Sequence, residues 1–357
     1  MRIALITEAW LPQVNGVVTT WTNVVRHMRE WGHEVLVLHS GLFVHLRLPT
    51  YREVMININP GGKLRKMLDE FQPDAVHIAT EGPLGMAGRS ICVRRGWPFT
   101  TSFHTQFPKY LKKYFRVPKS WTYAFMRWFH HAGERILVPT QSVKDKLEKH
   151  GFMPDKVVKW CRGVDGEQFR PGDKSAFDAL GLPRPVFLLA GRVAHEKNIP
   201  AFLELDLPGT KAIMGYGPME RKLKRRFPSA HFLGYQAPDD FARYMRSADV
   251  FVFPSKTDTF GLVMLEAMAS GVPVAAFPTT GPRDVVTDGE SGVLLKDLRE
   301  AATRALAEIP PARCRELALQ CTWEQCAQEV LDNLAPIRRS RAAVAEAAAP
   351  VEAAAVG

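Results

Sequence analysis

Two hydrophobic rhythms alternate along the chain. Residues 2–7 centre on a short continuous apolar run, which reads as a buried strand. Asn15 and Gly16 open a polar turn, after which Val17, Val18, Trp21, Val24, Val25 and Met28 recur at the spacing of a helix with one apolar face. Gly32 ends that helix, and residues 34–38 return to strand character. Strand, glycine-containing loop, helix and strand in this order open an α/β sheet.

The alternation continues. Helices are expected at 64–71, 86–94, 121–131 and 141–149, and strands at 75–78, 99–103, 135–138 and 157–160. Glu81 and Gly82 follow the carboxyl end of the strand at 75–78. Pro171, Gly172, Gly181 and Pro183 punctuate residues 169–185, which are read as a linker. A second series of strands follows at 186–189, 211–214, 231–233, 250–253 and 272–276, with helices clearest at 239–247 and 261–269. From Arg338 the chain turns basic and then rich in alanine, a tail without expected chemistry.

Composition narrows the class. At 357 residues the chain fits two α/β domains, and 46% hydrophobic with 24% charged residues is the make-up of a folded soluble protein. Forty-seven Lys and Arg against 37 Asp and Glu leave +10, which calls for an anionic partner: nucleic acid, a nucleotide diphosphate or anionic lipid. The five cysteines form no Cys-x-x-Cys pair and suit a reducing, intracellular setting. The apolar run near the amino terminus is too short for a signal peptide, and no apolar stretch is long enough to span a bilayer, so any membrane contact is expected to be peripheral.

The sharpest chemical pattern is residues 254–274, PSKTDTFGLVMLEAMASGVPV. Asp258 falls in a strand-to-helix loop, where open α/β sheets bind ligands. Thr259 is placed to cap the helix, and the backbone N–H groups around Phe260 and Gly261 to hold phosphate oxygens. Glu266 stands among Met264, Leu265 and Met268, a setting in which a carboxylate needs a partner. Arg192 and Lys197, in LLAGRVAHEKN, follow another strand and suit a diphosphate; two solvated cations at a turn fit that spacing equally well. Gly191, Gly217 and, in the first half, Gly16 offer close backbone approach to a ligand. His104 ends the strand at 99–103 in a polar context, better placed for a ligand than for a core, with a satisfied structural histidine as the alternative.

Residues 107–119, FPKYLKKYFRVPK, combine Lys109, Lys112, Lys113 and Arg116 with Phe107, Tyr110, Leu111 and Tyr114. As a helix this stretch is amphipathic and basic, of the kind that lies on an anionic lipid surface; a solvated helix over a packed face is the plainer alternative. The same residue types serve single-stranded nucleic acid, but no nucleic-acid module is present in the sequence and no such partner is expected.

Together, Asn15-Gly16, Thr80-Glu81-Gly82, Phe103-His104-Thr105, Gly191-Arg192, Glu196-Lys197-Asn198, Gly217-Pro218 and residues 254–274 resemble, in order and over residues 1–336, the retaining nucleotide-sugar glycosyltransferases with the GT-B fold. That family includes bacterial mannosyltransferases and glucosyl-, glucuronosyl- and sulfoquinovosyl-diacylglycerol synthases. The resemblance implies an α/β protein of two Rossmann-like domains facing a central cleft, residues 1–168 on the acceptor side and 169–336 binding the nucleotide sugar. The last helix is expected to cross back to the first domain, and the composition of residues 337–357 is that expected of a disordered tail. It implies that Gly16 approaches the donor diphosphate, that His104 lies beside the transferred sugar, and that Arg192 and Lys197 hold the diphosphate as it leaves. Glu266 then binds the ribose, and Asp258, where the family usually has glutamate, contacts the donor sugar with Phe260 and Gly261.

The family chemistry needs no metal and no cofactor beyond the donor itself, since fixed cations and helix N–H groups meet the developing charge. The expected reaction moves a hexose or hexuronic acid from UDP-glucose or UDP-glucuronate to a membrane lipid, diacylglycerol foremost, at the inner face of the cytoplasmic membrane. GDP-mannose-dependent mannosyl transfer to a glycolipid or polysaccharide precursor is the alternative, and an inactive nucleotide-sugar-binding module a further one.

Overall fold

The computed structural model describes residues 1–47, 55–104 and 118–338. The basic aromatic stretch lies outside these residues except for Pro118 and Lys119, as do Thr105 and residues 339–357 of the tail.

The first half is built on β1 (Arg2–Thr7), α1 (Gly16–Glu30), β2 (Glu34–His39), β3 (His45–Arg47), β4 (Met55–Asn57), α2 (Gly61–Phe71), β5 (Ala75–Ile78), α3 (Pro83–Arg95), β6 (Thr100–Ser102), α4 (Lys119–His131), β7 (Arg135–Val138), α5 (Gln141–Lys149) and β8 (Val157–Lys159). Six of these strands form a parallel sheet in the order β2-β1-β5-β6-β7-β8, while β3 and β4 pair as a separate antiparallel hairpin. Apart from β6, a buried Thr-Thr-Ser, their largely apolar sequences are what a sheet covered on both faces requires.

The second half repeats the plan with β9 (Val186–Ala190), α6 (Ile199–Leu203), β10 (Thr210–Met214), α7 (Glu220–Arg226), β11 (His231–Gly234), α8 (Pro238–Ser247), β12 (Val250–Phe253), α9 (Leu262–Ala269), β13 (Val274–Ala276), α10 (Pro282–Val285), β14 (Gly292–Leu294), α11 (Leu298–Glu308), α12 (Pro311–Ala318) and α13 (Trp323–Asn333). Its parallel sheet runs β11-β10-β9-β12-β13-β14, the doubly wound order. The order reverses at β9 and β12, so a crevice opens beyond their carboxyl ends. β1 and β5 make the corresponding point in the first sheet.

The chain passes between the halves twice. Trp160 belongs to the first core, whereas Val164, Phe169 and Phe177 pack in the second, so residues 169–185 lie against that core rather than hang free of it. The return comes at α13, whose Trp323, Cys326, Ala327 and Val330 are buried with Trp21, Val24, Met28 and Trp160 of the first half. Beyond it the Ile337 amide donates to the Asp74 carbonyl at 2.7 Å. Arg315 fixes the crossing by donating to the carbonyls of Gly166, Phe169 and Ala269 at 2.7–3.0 Å.

Gly163 marks the tightest point. A Cβ there would lie 2.2 Å from the Trp323 amide nitrogen, with no side chain to rotate away. Gly163→Ala must push the start of α13 off the first half, at a cost of about 1–3 kcal/mol or more. A denaturation midpoint lowered accordingly is the expected result, with near-ultraviolet dichroism reporting loosened tryptophan packing.

Candidate active site

The crevice at β9 and β12 is organised by its loops. After Ala190 the chain turns through Gly191 at φ 135°, which brings Arg192 to the strand end. Residues 195–197 make one tight turn, and Asn198 holds a left-handed φ of 53°. The Asn198 amide donates to the Pro254 carbonyl at 3.1 Å, and the Ser255 hydroxyl donates to the Glu196 carbonyl at 3.2 Å. This lacing sets Lys197 against the loop after β12, where its Nζ meets Asp258 Oδ1 at 2.8 Å. Both side chains are about four-fifths buried, at 22% and 21% exposure. Arg192 pairs similarly with the buried Glu196, at 2.6 Å.

The glycines divide by role. A Cβ on Gly217 would sit 2.4 Å from the Val193 carbonyl oxygen, so loop packing alone already requires glycine there. Gly191, by contrast, has open space where a Cβ would be.

Gly261, at φ 95°, immediately precedes helix α9, and no side chain caps it. Thr259 does not serve as the cap expected from sequence: its hydroxyl crosses to the first half and donates to the His104 carbonyl at 2.6 Å. The carbonyls of Asp258 and Phe260 instead back onto Gly281, where a Cβ would approach them to 3.1 and 2.9 Å. One turn along α9 stands Glu266, largely buried, whose carboxyl is pushed up to about 7 by loss of solvation. A helix start without a side-chain cap, two cations and a carboxyl of this kind can receive a diphosphate and a vicinal diol.

The first half closes over this arrangement. Asn15 caps α1 by accepting from the Val17 and Val18 amides at 3.0 and 3.1 Å. The position of a Cβ on Gly16 lies 3.5 Å from Leu262 at the start of α9, so the two helix starts face each other. His104 follows β6, and its Nε2 accepts from the Trp21 indole N–H at 2.9 Å. Burial, then Arg162, His77 and His130, hold its imidazole well below the usual histidine range. The Ser142 amide donates to Asp284 at 3.0 Å, adding a further contact between the halves.

Gly16, His104, Lys197, Asp258, Phe260 and Gly261 thus gather where the halves meet, with Arg192 and Gly191 at the β9 end and Glu266 deeper along α9. Sequence reasoning assigned Trp21 to the core alone and missed its bond to His104; the available signal was that a buried indole N–H needs an acceptor. It also missed Arg162, buried and stacked on Trp160 at 3.7 Å. Among the described residues, no group of three or more His, Cys, Asp or Glu is placed to hold a metal ion, and no helix is long and apolar enough to cross a membrane.

Comparison with known proteins agrees with this architecture. Residues 14–168 match the family model Glycosyltransferase Family 4, and residues 184–309 match Glycosyl transferases group 1. The GDP-mannose-dependent alpha-mannosyltransferase of Mycobacterium tuberculosis is 30% identical, over 96% of this chain and 98% of its own. Sulfoquinovosyl transferase SQD2 of Arabidopsis thaliana is 29% identical, over 91% of this chain and 70% of its own. The solved sucrose-phosphate synthase of Thermosynechococcus elongatus superposes with a TM-score of 0.76 over 93% of this chain and 97% of its own, at 19% identity, a likeness of fold. Two doubly wound parallel sheets facing one cleft, both family models in register with them, and a relative matched end to end make this chain a member of the GT-B-fold glycosyltransferases that use nucleotide sugars.

Proposed function

We propose that the chain moves mannose from GDP-mannose, with retention, to a lipid-borne acceptor at an anionic membrane surface. The observation that carries the donor is the end-to-end likeness to the mycobacterial mannosyltransferase. It reverses the order expected from sequence: transfer from UDP-glucose or UDP-glucuronate to diacylglycerol becomes the second reading, favoured by the sulfoquinovosyl transferase relative.

In this reading Arg192 and Lys197 take the charge that develops on the leaving diphosphate, helped by the start of α9 and by backbone at Gly16 and Gly191. Lys197 is already fixed by Asp258, so little reorganisation is needed when the donor arrives. Asp258, turned toward the same point, meets a sugar hydroxyl, Phe260 and Gly261 supply backbone contacts, and His104 lies beside the transferred ring. Glu266 accepts from the ribose hydroxyls. A loop of glycine packing, as at Gly217, keeps the nucleotide side rigid.

Membrane docking draws support from α4. Trp121, Phe125 and Trp128 are exposed at 73%, 36% and 49% and recur at i, i+4 and i+7, one stripe on the helix. Residues 82–133 hold nine Lys and Arg and no Asp or Glu. Aromatics of this kind enter the bilayer interface, and each cation near an anionic surface adds about 1 kcal/mol of attraction.

Three measurements test the proposal. A donor panel read by mass spectrometry, with total lipid as acceptor, should give a product with GDP-mannose; exclusive turnover of a UDP-sugar would transfer the assignment to the second reading. Nucleotide affinity should rise about tenfold from pH 6 to pH 8, because a carboxyl titrating about 7 must ionise to accept two hydroxyls. Glu266→Gln should flatten that dependence in calorimetry. In flotation, the protein should bind vesicles rich in phosphatidylglycerol. Replacing Trp121, Phe125 and Trp128 by serine, or Lys109, Lys112, Lys113 and Arg116 by glutamate, should abolish binding; equal flotation would remove this face from the function.

A further inference from the structure

His104 is held by a partner that settles its protonation. The indole N–H of Trp21 is a donor and nothing else, so at 2.9 Å it requires a lone pair on His104 Nε2. A neutral imidazole accepting at Nε2 must carry its proton on Nδ1. An imidazolium would instead set one N–H against another.

The surroundings press the same way. Trp21 is fully buried on α1 and packs on His77 with ring centroids 4.6 Å apart. Trp160 lies edge-on to His104 at 6.2 Å and 68°. Among the described residues, the titratable and charged groups that act on the ring are Arg162, His77 and His130. Arg162 is cationic and buried against Trp160. His77 uses both nitrogens on the hydroxyls of Thr100 and Ser102, at 2.8 Å each. His130 bonds the Thr101 hydroxyl at 2.8 Å and Glu81 at 3.2 Å, so that acid is already engaged away from His104. The backbone of His104 is fixed as well, through its carbonyl and the Thr259 hydroxyl.

We infer that Trp21 is a positioning residue for the transfer reaction: it locks His104 as the neutral Nδ1–H tautomer, so that the imidazole serves the sugar as a hydrogen-bond donor rather than as a base. This rests on the reading that His104 lies beside the transferred sugar, but not on which sugar that is.

The test uses the full chain with 15N-labelled histidine. In the wild type the His104 resonances should report a protonated Nδ1 and an unprotonated Nε2, unchanged from pH 8 to pH 5.5. Trp21→Phe keeps an aromatic ring and removes the N–H. In that variant His104 should populate both tautomers and begin to titrate toward the ordinary histidine range. With whichever donor is turned over, kcat should fall about tenfold or more at pH 7, KM for the donor should change less, and an acid limb absent from the wild type should enter the pH profile of kcat at saturating donor. Wild-type His104 protonated on Nε2, or doubly protonated at pH 6, overturns the inference without any variant, so a Trp21→Phe chain that fails to fold does not shield it. A folded Trp21→Phe chain with wild-type kcat and pH profile overturns it too. Failure of every nucleotide sugar in the donor panel would count against the proposed function, while the tautomer measurement would still stand by itself.

Discussion

The double crossing between the halves is the constraint on which the rest of the molecule depends. Each sheet alone offers a crevice at its carboxyl edge, but a transferase of this kind needs two such edges facing one another. Here the chain leaves the first core after Trp160 and comes back at Trp323, and the two passages touch at Gly163. Arg315 sits between them and satisfies three carbonyls that would otherwise be left without partners near the crossing. Because α13 buries its apolar face on α1 rather than on its own half, the hinge is a packed core and not a loose tether.

Across that cleft the cations of the second half are already matched by acids. Lys197 has Asp258 and Arg192 has Glu196, all held by the lacing between the loops after β9 and β12. Partly buried cations without such acids would carry a desolvation cost of several kcal/mol, and loops holding them would be prone to rearrange. The acids therefore hold both cations, and the loops that carry them, in place. The short aspartate side chain at 258 keeps the carboxylate close to its own backbone, which is in turn backed by Gly281.

Much of the fold was legible because buried parallel strands are short apolar runs and their helices carry one apolar face. β5, β7, β12, α1 and α5 fall within a residue or two of where the periodicity puts them. Three things were not legible, each for a local reason. The β3–β4 hairpin uses three-residue strands, too short for a period to register. The partner of the Thr259 hydroxyl and the packing behind Gly217 depend on residues elsewhere in the chain: a carbonyl of the first half for Thr259, the Val193 backbone for Gly217. Trp21 looked like any core position on a helical face, since nothing in the spacing tells where its N–H points. Candidates such as Gly191, Arg192 and His104 could be nominated because they follow strand ends, where the fold places ligands, and strand ends are visible in sequence.

Helix α1 joins these constraints into one body. Its first residue, Gly16, faces the start of α9 across the cleft; its sixth, Trp21, holds His104; and Val24 and Met28 share a core with α13. Trp21, Trp160 and Trp323 belong to that same buried cluster, so the ring that sets the histidine tautomer also packs with the segments that make the crossing. A rigid helix about 22 Å long cannot shift at one end and stay fixed at the other. A displacement of α1 within the first core therefore acts on His104 through Trp21 and on the cleft face at Gly16 together. One helix thus ties the orientation of the His104 ring, the Gly16 face of the cleft and the seat of α13 to a single buried cluster, so none of the three can be altered without disturbing the packing of the others.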